Sequence, residues 1–586
     1  MQRFAAGNAR RVWPSRASAV AGGGAGRRIS GHSPCPWRTP SPYNPAMVST
    51  NESVAPSESP PARVSAWSAL HHPTFRIVWV ATIVSNVGGW VSSAAAGWLM
   101  TSLKPDPLAV SLVQVMSNLP MFVLALPAGA LVDMIDQRRL LIVAELAIMA
   151  SSTAFAILVS THLITPSSLL FMTALTSAAS AVSLPAWQTV VSQLVPKPEL
   201  PAAVGLNSLG INISRAVGPA LGGFLVSAFG FGPPFWIDAF SNGGVIAALF
   251  RWRRPPRSRA SLPRERIGSA VRVGLRHARY NPHLSATLIR AVAFFVSASA
   301  YWALLPLATL RQASGGATLY GGLLGMIGAG AVAGALLLPR LKERLGADRL
   351  MAACAAGTAI ALALFGVARN SGTFVLASAL AGMSWIGAVS SLNISAQVAL
   401  PEWVRGRGLA VFVSVMFGAL SLGGLLWGKA AALGGTSRAL LAAAAVAALA
   451  IPLTWKWKLQ TGAGVDFTPS QHWPAPITTH EIERDRGPVM VTVEYRIDPE
   501  NRARFLKALY RYSRARRRDG AYDWRLFEDP AEDGKFVETF MTDSWLEHLR
   551  LHARVTKADR LQEAIVQRLL IGNSYKTTHL IEVEDE

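Results

Sequence analysis

Apolar residues along this chain gather into twelve long stretches separated by short polar connections. They lie near 76–103, 108–132, 140–160, 167–186, 204–229, 234–250, 285–310, 318–338, 350–368, 374–394, 408–431 and 438–455. A helix needs about 20 residues to cross about 30 Å of hydrocarbon, and most of these stretches reach that length. Lipid offers no partner to an exposed backbone amide, so runs of this kind are expected as helices. The pattern predicts an all-α membrane protein with twelve transmembrane helices in two six-helix halves.

The second half echoes the first. Gly129, Asp133, Arg138 and Arg139, which follow the second stretch, are echoed at an offset of 205 by Gly334 and Leu338, then Arg340, Lys342 and Arg344. Gln193 and Pro196 after the fourth stretch are echoed by Gln397 and Pro401 after the tenth. Duplicated halves of this kind are typical of secondary transporters, whose substrate site lies at the midplane between repeats.

Composition changes the picture in one respect. The chain is 51% hydrophobic and 15% charged, against about 25% charged in soluble domains. A net charge of +22 could point to nucleic acid, but its placement argues otherwise. Basic residues crowd every second connection: Arg138 and Arg139, Lys197, ten Arg between Arg251 and Arg279, Arg340 to Arg349, then Arg405 and Arg407. That asymmetry is the positive-inside signature and predicts both termini in the cytoplasm of a bacterial inner membrane, with membrane lipid as a partner and no nucleic acid. Cys35 and Cys354 lie in the tail and in a span, so no disulfide framework is expected. Residues 1–65 are rich in Arg, Ser, Pro, Gly and Ala and lack an apolar core, which reads as a disordered tail. A transit peptide is the competing reading, and Met47 is an alternative start.

The segment Gly129 to Leu140 resembles the loop 2–3 signature of the major facilitator superfamily. Arg215, Gly218, Pro219, Gly222 and Gly223 resemble its span-5 signature associated with antiporters and exporters. The run Pro401 to Gly408, with Trp427 and Gly428 further on, is similar to the branch that includes the enterobactin exporter. Each motif also has a local reason. Gly218 and Gly222 share a helix face and admit a close neighbour, as do Gly424 and Gly428. Pro219 removes a backbone donor. In the family, Asp133 would latch the cytoplasmic side through Arg138, Arg139 or the start of span 11. A solvated loop acid is the alternative. Met134, Asp136, Gln137 and Leu338 depart from the family pattern, which predicts a weaker latch confined to the first half.

Ionisable groups inside spans are functional candidates by default. Glu145, Arg215, Asp238 and Arg290 stand in the predicted spans, and either acid could carry a coupling proton or be a packing group. The resemblance places spans 1, 4, 7 and 10 around the cavity. Its candidates are Asn86, Trp90 and Trp98; Ser177, Ser180, Trp187 and Gln188; Arg290, Phe294, Ser297, Tyr301 and Trp302; and Trp385, Ser391 and Asn393. Such a lining suits an amphipathic, weakly charged small molecule. Trp98, Trp187 and Trp302 read equally well as membrane-interface belts.

After the last stretch the composition turns polar. The predicted organisation is a tail (1–65), a six-helix half (66–250), a basic cytoplasmic loop (251–283), a second half (284–455), a linker (456–486) and a cytoplasmic domain (487–586). In the last, strands are expected at 489–497, 522–528, 535–541 and 575–583, with helices at 500–517 and 544–570. The order β-α-β-β-α-β is ferredoxin-like. Around Trp545, His548 and His552 it resembles the antibiotic-biosynthesis-monooxygenase type of α+β barrel, and open edges predict a homodimer. His548 and His552 share a helix face, but two His without a third ligand make a poor metal site. No metal or cofactor is expected. The sequence thus predicts a proton-coupled exporter of a drug or siderophore-like metabolite, not an enzyme. The rival reading is a bifunctional chain whose C-terminal domain is a cofactor-independent oxygenase.

Overall fold

The computed structural model describes residues 67–191, 193–252, 267–310, 316–462 and 485–583, with isolated residues at 65 and between 466 and 483. The expected disordered tail and residues 253–266 of the basic loop fall outside the described residues. All twelve apolar stretches fold as helix. They fall in eleven elements, with two in α9: α1 (Pro73–Leu103), α2 (Pro107–Met134), α3 (Gln137–Ser160), α4 (Pro166–Val191), α5 (Leu200–Phe229), α6 (Gly232–Arg251), α8 (Pro282–Thr309), α9 (Ala317–Val367), α10 (Ser371–Val398), α11 (Arg405–Gly434) and α12 (Thr436–Thr454). The basic loop contributes α7 (Ile267–Tyr280), which the apolar pattern did not announce.

Among the described residues, ten helices are long and apolar enough to cross a membrane: α1 to α5 and α8 to α12. The 51-residue α9 takes in both the eighth and ninth stretches, and Gly346 breaks its helical path with φ 71°. The 20-residue α6, which carries Asp238, is not among the ten.

Local chemistry sets the boundaries. Side chains of Asp106, Asp136, Asn281 and Asn370 accept first-turn amides of α2, α3, α8 and α10. Pro107 and Pro282 stand at first-turn positions where their missing N–H costs nothing. α5 and α11 stop at Gly230 and Gly435, whose φ values of 83° and 84° exclude most side chains. Those two glycines lie at the repeat offset.

The glycines within α5 and α11 obey the same offset. Gly218 lies against Trp90 and the Val87 carbonyl of α1, and its repeat mate Gly423 lies against Ser299 and Val296 of α8. Gly223 meets Ala317 and Gly321 of α9, across the seam between halves, and its mate Gly428 meets Ser111 of α2 across the other seam. Each half therefore uses one glycine to pack its own first helix and another to pack its opposite half.

The C-terminal region forms β1 (Val489–Arg496), α13 (Arg502–Asp519), β2 (Tyr522–Glu528), β3 (Lys535–Thr542), α14 (Trp545–Arg554), α15 (Lys557–Gln567) and β4 (Lys576–Ile581). The strands make one antiparallel sheet in the order β2-β3-β1-β4. Alternate β1 residues Val489, Val491, Val493 and Tyr495 are buried with Phe505, Leu509 and Tyr512 of α13. The single helix expected over 544–570 is two: Val555 is extended, and Thr556 with Asp559 forms a capping box that restarts the chain as α15.

Candidate functional site

Among the described residues, the first half holds two buried acids, neither facing a cation in its hydrogen-bonded contacts. Asp238 on α6 is 4% exposed. Ser152 of α3 donates to its Oδ2 at 2.7 Å and Ser92 of α1 at 3.3 Å. Asn242, one turn along α6, donates to Oδ1 at 3.4 Å and is itself held by Ser85 at 2.8 Å. Gly88 and Gly89 of α1 supply the space, since a Cβ on Gly88 would meet the Asp238 Cα at 3.1 Å. The carboxylate sits where α1, α3 and α6 meet. Glu145 on α3 is equally buried, and its Oε1 accepts from Ser183 at 2.9 Å and from the Trp187 indole at 3.0 Å, both on α4. Hydroxyl, amide and indole donors can satisfy a carboxylate in low dielectric without fixing its charge.

Arg215 on α5 lies over the Trp90 ring, 5.4 Å from its centroid. Its backbone carbonyl faces Gly328 of α9, so this cation stands at the seam between halves. Arg290 on α8 is held in an ion pair. It is 3% exposed and pairs with Asp348 at 2.7 Å, in a groove lined by Phe294, Met351, Thr358 and Ile451 between α8, α9 and α12. The predicted spans missed Asp348 because it lies just beyond Gly346, ahead of the ninth stretch.

The other predicted residues divide. Trp302 and Trp385 stack edge to face at 5.5 Å, and Phe294 and Phe295 pack on Trp385. They form an aromatic cluster between α8 and α10. Trp187 is anchored to Glu145, and Trp98 stacks on Tyr320 of α9 at 5.8 Å. Asn86 and Trp90 are half-buried on α1, whereas Gln188 and Asn393 are exposed. Arg138 donates to the carbonyls of Leu249 at 2.9 Å and Phe250 at 2.7 Å, capping the end of α6. Arg139 is exposed, and its amide is held by Asp136. The side chain of Asp133 lies outside the described residues. Gly129 faces Ala410 of α11 at 3.9 Å. Gln137, read above as a departure, accepts from Gln193 at 2.6 Å and joins the two loops that the repeat singled out.

The C-terminal domain is seated on α7 and the turn before α11. Arg276 donates to the Gly520 carbonyl at 2.5 Å, Arg517 lies over Tyr280 at 5.9 Å, and Arg554 lies over Trp403 at 4.4 Å. His277 of α7 is fully buried there. Burial, then the Arg518 charge, push its pKa down to about 3.

A family model described as transmembrane secretion effector matches residues 64–586. The chain is 28% identical over 219 residues to the uncharacterized MFS-type transporter YfiS of Bacillus subtilis, spanning 36% of this chain and 51% of that protein. It is 25% identical over 352 residues to the staphyloferrin A transporter of Staphylococcus aureus, spanning 58% and 85%. Over 183 residues it is 28% identical to the multidrug efflux pump Tap of Mycobacterium tuberculosis, spanning 30% and 43%. The chain thus spans about half the length of YfiS and less of Tap. In fold it resembles a POT family transporter solved with 5-aminolevulinic acid, with a TM-score of 0.54 and 11% identity over 65% of this chain and 94% of that one. An auto-inhibited POT family peptide transporter gives a TM-score of 0.53 at 12% identity, over 70% and 99%.

Proposed function

Because the chain belongs to the transmembrane secretion effector family of the major facilitator superfamily, we propose that it exports an amphipathic small molecule by alternating access. The membrane part crosses twelve times, α9 counting as two spans and α6 as one, with both termini in the cytoplasm of a bacterial inner membrane. One observation carries this reading. The glycine pairs Gly218 with Gly223 and Gly423 with Gly428 recur at the repeat offset and make equivalent contacts within and between halves. Helices that meet through glycine have close, smooth contacts and can shift against each other without unpacking bulky side chains. The names of the staphyloferrin A transporter and Tap support a siderophore-like or drug-like solute.

Proton coupling rests on Asp238, which three helices surround with hydroxyl and amide groups. Such a cage accepts both protonation states, because each donor can rotate to serve a neutral or an ionised carboxyl. The C-terminal domain, read as ferredoxin-like from its strand order, serves regulation or dimerisation.

Everted membrane vesicles test the proposal. ATP-independent accumulation of a lipophilic dye under an imposed pH gradient is expected, with collapse on adding an uncoupler. Accumulation that the uncoupler leaves untouched removes proton coupling, and no accumulation across a drug and siderophore panel removes export.

A further inference from the structure

The fold brings a third histidine to the pair read from the sequence. His548 and His552 lie one turn apart on α14 and project from one side of it. His579 is on β4, in register with Val491 of β1. Val491 is buried on the helix-covered side of the sheet, so His579 faces α14 as well. The ring centroids of His548 lie 4.8 Å from those of His552 and 4.6 Å from His579. One nitrogen from each of the three lies within 4.8 Å of the others. Three imidazoles holding an ion at about 2.0–2.1 Å place their nitrogens about 3.3 Å apart, a closure that small side-chain rotations supply.

A second observation points the same way. His548 is 1% exposed, and neither of its ring nitrogens has a hydrogen-bond partner. Buried polar atoms are ordinarily satisfied, and two orphans on one ring require an explanation. A ligand on one of them provides it. Trp545 packs on His548 at 5.3 Å and Trp473 on His552 at 5.1 Å, walling the cluster with apolar surface. Arg516, the nearby cation, is neutralised by Glu538 at 2.9 Å and does not oppose a bound cation.

We propose that His548, His552 and His579 bind one divalent first-row transition ion of the zinc class, with a fourth coordination position left open. The donor set selects the ion. Neutral imidazoles without carboxylate or thiolate disfavour calcium and magnesium and suit zinc, copper or nickel. Three protein ligands with a free position are the arrangement of an exchangeable or reactive site, in contrast to a closed structural one.

The test uses the full chain in detergent, with any polyhistidine tag removed and metal stripped by a chelator. Titration with Zn²⁺ against a chromophoric chelator should give one tight site per chain, and Co²⁺ should give the intense visible bands of tetrahedral coordination. His579→Gln, which leaves α14 intact, should weaken Zn²⁺ binding beyond the ~10–100-fold that loss of a supporting group costs and abolish the Co²⁺ bands. His162→Gln, in the exposed α3–α4 connection, should change neither. Gel filtration and far-UV circular dichroism report whether each variant is folded. Absence of a stoichiometric site in the folded wild-type chain overturns the proposal, as does an undiminished site in His579→Gln.

Discussion

Acidification should loosen the seat of the C-terminal domain, and His277 should be the reason. The imidazole is buried against Trp403 at 5.7 Å, with its Nε2 3.2 Å from the Asn281 amide. Burial is the largest cause of its low pKa of about 3; Arg518 and Arg554 push the same way and Asp559 opposes them. Freed from the interface, it titrates near the ordinary value of about 6.5. The docked state therefore binds fewer protons than the undocked one between about pH 6.5 and 3. Stability of docking is present above the free pKa and is lost as pH falls through that window. At pH 5.5 a free imidazole of pKa about 6.5 gains RT ln(1 + 10), about 1.4 kcal/mol, from protonation, and at pH 7.5 under 0.1 kcal/mol. Moving between those values should raise the undocked population about tenfold. Asp519, whose pKa burial pushes up to about 6, titrates with the opposite sign. The comparison is therefore made as a double difference with His277→Gln, which keeps Asp519. The assay is limited proteolysis of α7 and the linker at both pH values, under conditions where cleavage follows the open population. The wild type should show a pH response larger than the variant's by about tenfold. Equal responses in the two proteins refute the reasoning.

Three further outcomes follow from the membrane part. Asp238→Asn should abolish pH-driven transport in vesicles while leaving expression intact, and Glu145→Gln, whose partners all come from α4, should reduce it less; unchanged transport in Asp238→Asn removes it as the carrier. Gly223→Val should clash with the Ala317 carbonyl and with Gly321, whose Cα a new Cβ would approach to 2.8 Å. Overpacking of this kind costs about 1–3 kcal/mol, read as a lower melting temperature in detergent together with lost transport. Asp136→Ala removes the cap that holds the Arg139 amide at 3.0 Å and should cost about 1 kcal/mol, again measured by thermal unfolding.

Apolar length carried most of the fold. Every expected stretch is helical because hydrocarbon leaves the backbone no other way to satisfy itself. What the pattern missed is what length does not encode. α7 is amphipathic and basic, so a search for apolar runs passes over it, although its cluster of Arg and apolar positions was visible between Arg266 and Tyr280. The break at Gly346 falls between the eighth and ninth stretches, where the apolar pattern divides them, and just beyond it Asp348 pairs with Arg290. The candidate site was partly legible: Glu145 and Asp238 were recognisable as acids in apolar runs, but their serine and tryptophan partners come from other helices. Likewise His579 stands 27 positions beyond His552. Only strand pairing brings it back, so no spacing rule could have found it.

The C-terminal domain can influence the membrane part only through contacts that differ between two states of that part. Those contacts converge on α7. Gly274 of α7 lies against Arg407 of α11 at 3.4 Å, and Asn281 at its end donates to the Ala399 carbonyl after α10 at 2.8 Å. Trp403, on which Arg554 rests, is in the turn that opens α11. The domain is thus tied to the edge of the second half where α7 and the start of α11 lie, while α11 itself packs along α2 of the first through Gly424 and Gly428. A charge-assisted hydrogen bond from Arg276 and the stacking of Arg554 are worth about 1.5–3 and about 0.5–2 kcal/mol. Their sum bounds the bias at about 5 kcal/mol, close to what is needed to carry a two-state equilibrium from one extreme to the other. The seat is therefore strong enough to tilt a two-state equilibrium of the membrane part when both contacts belong to one state, and too weak to lock it when only one does.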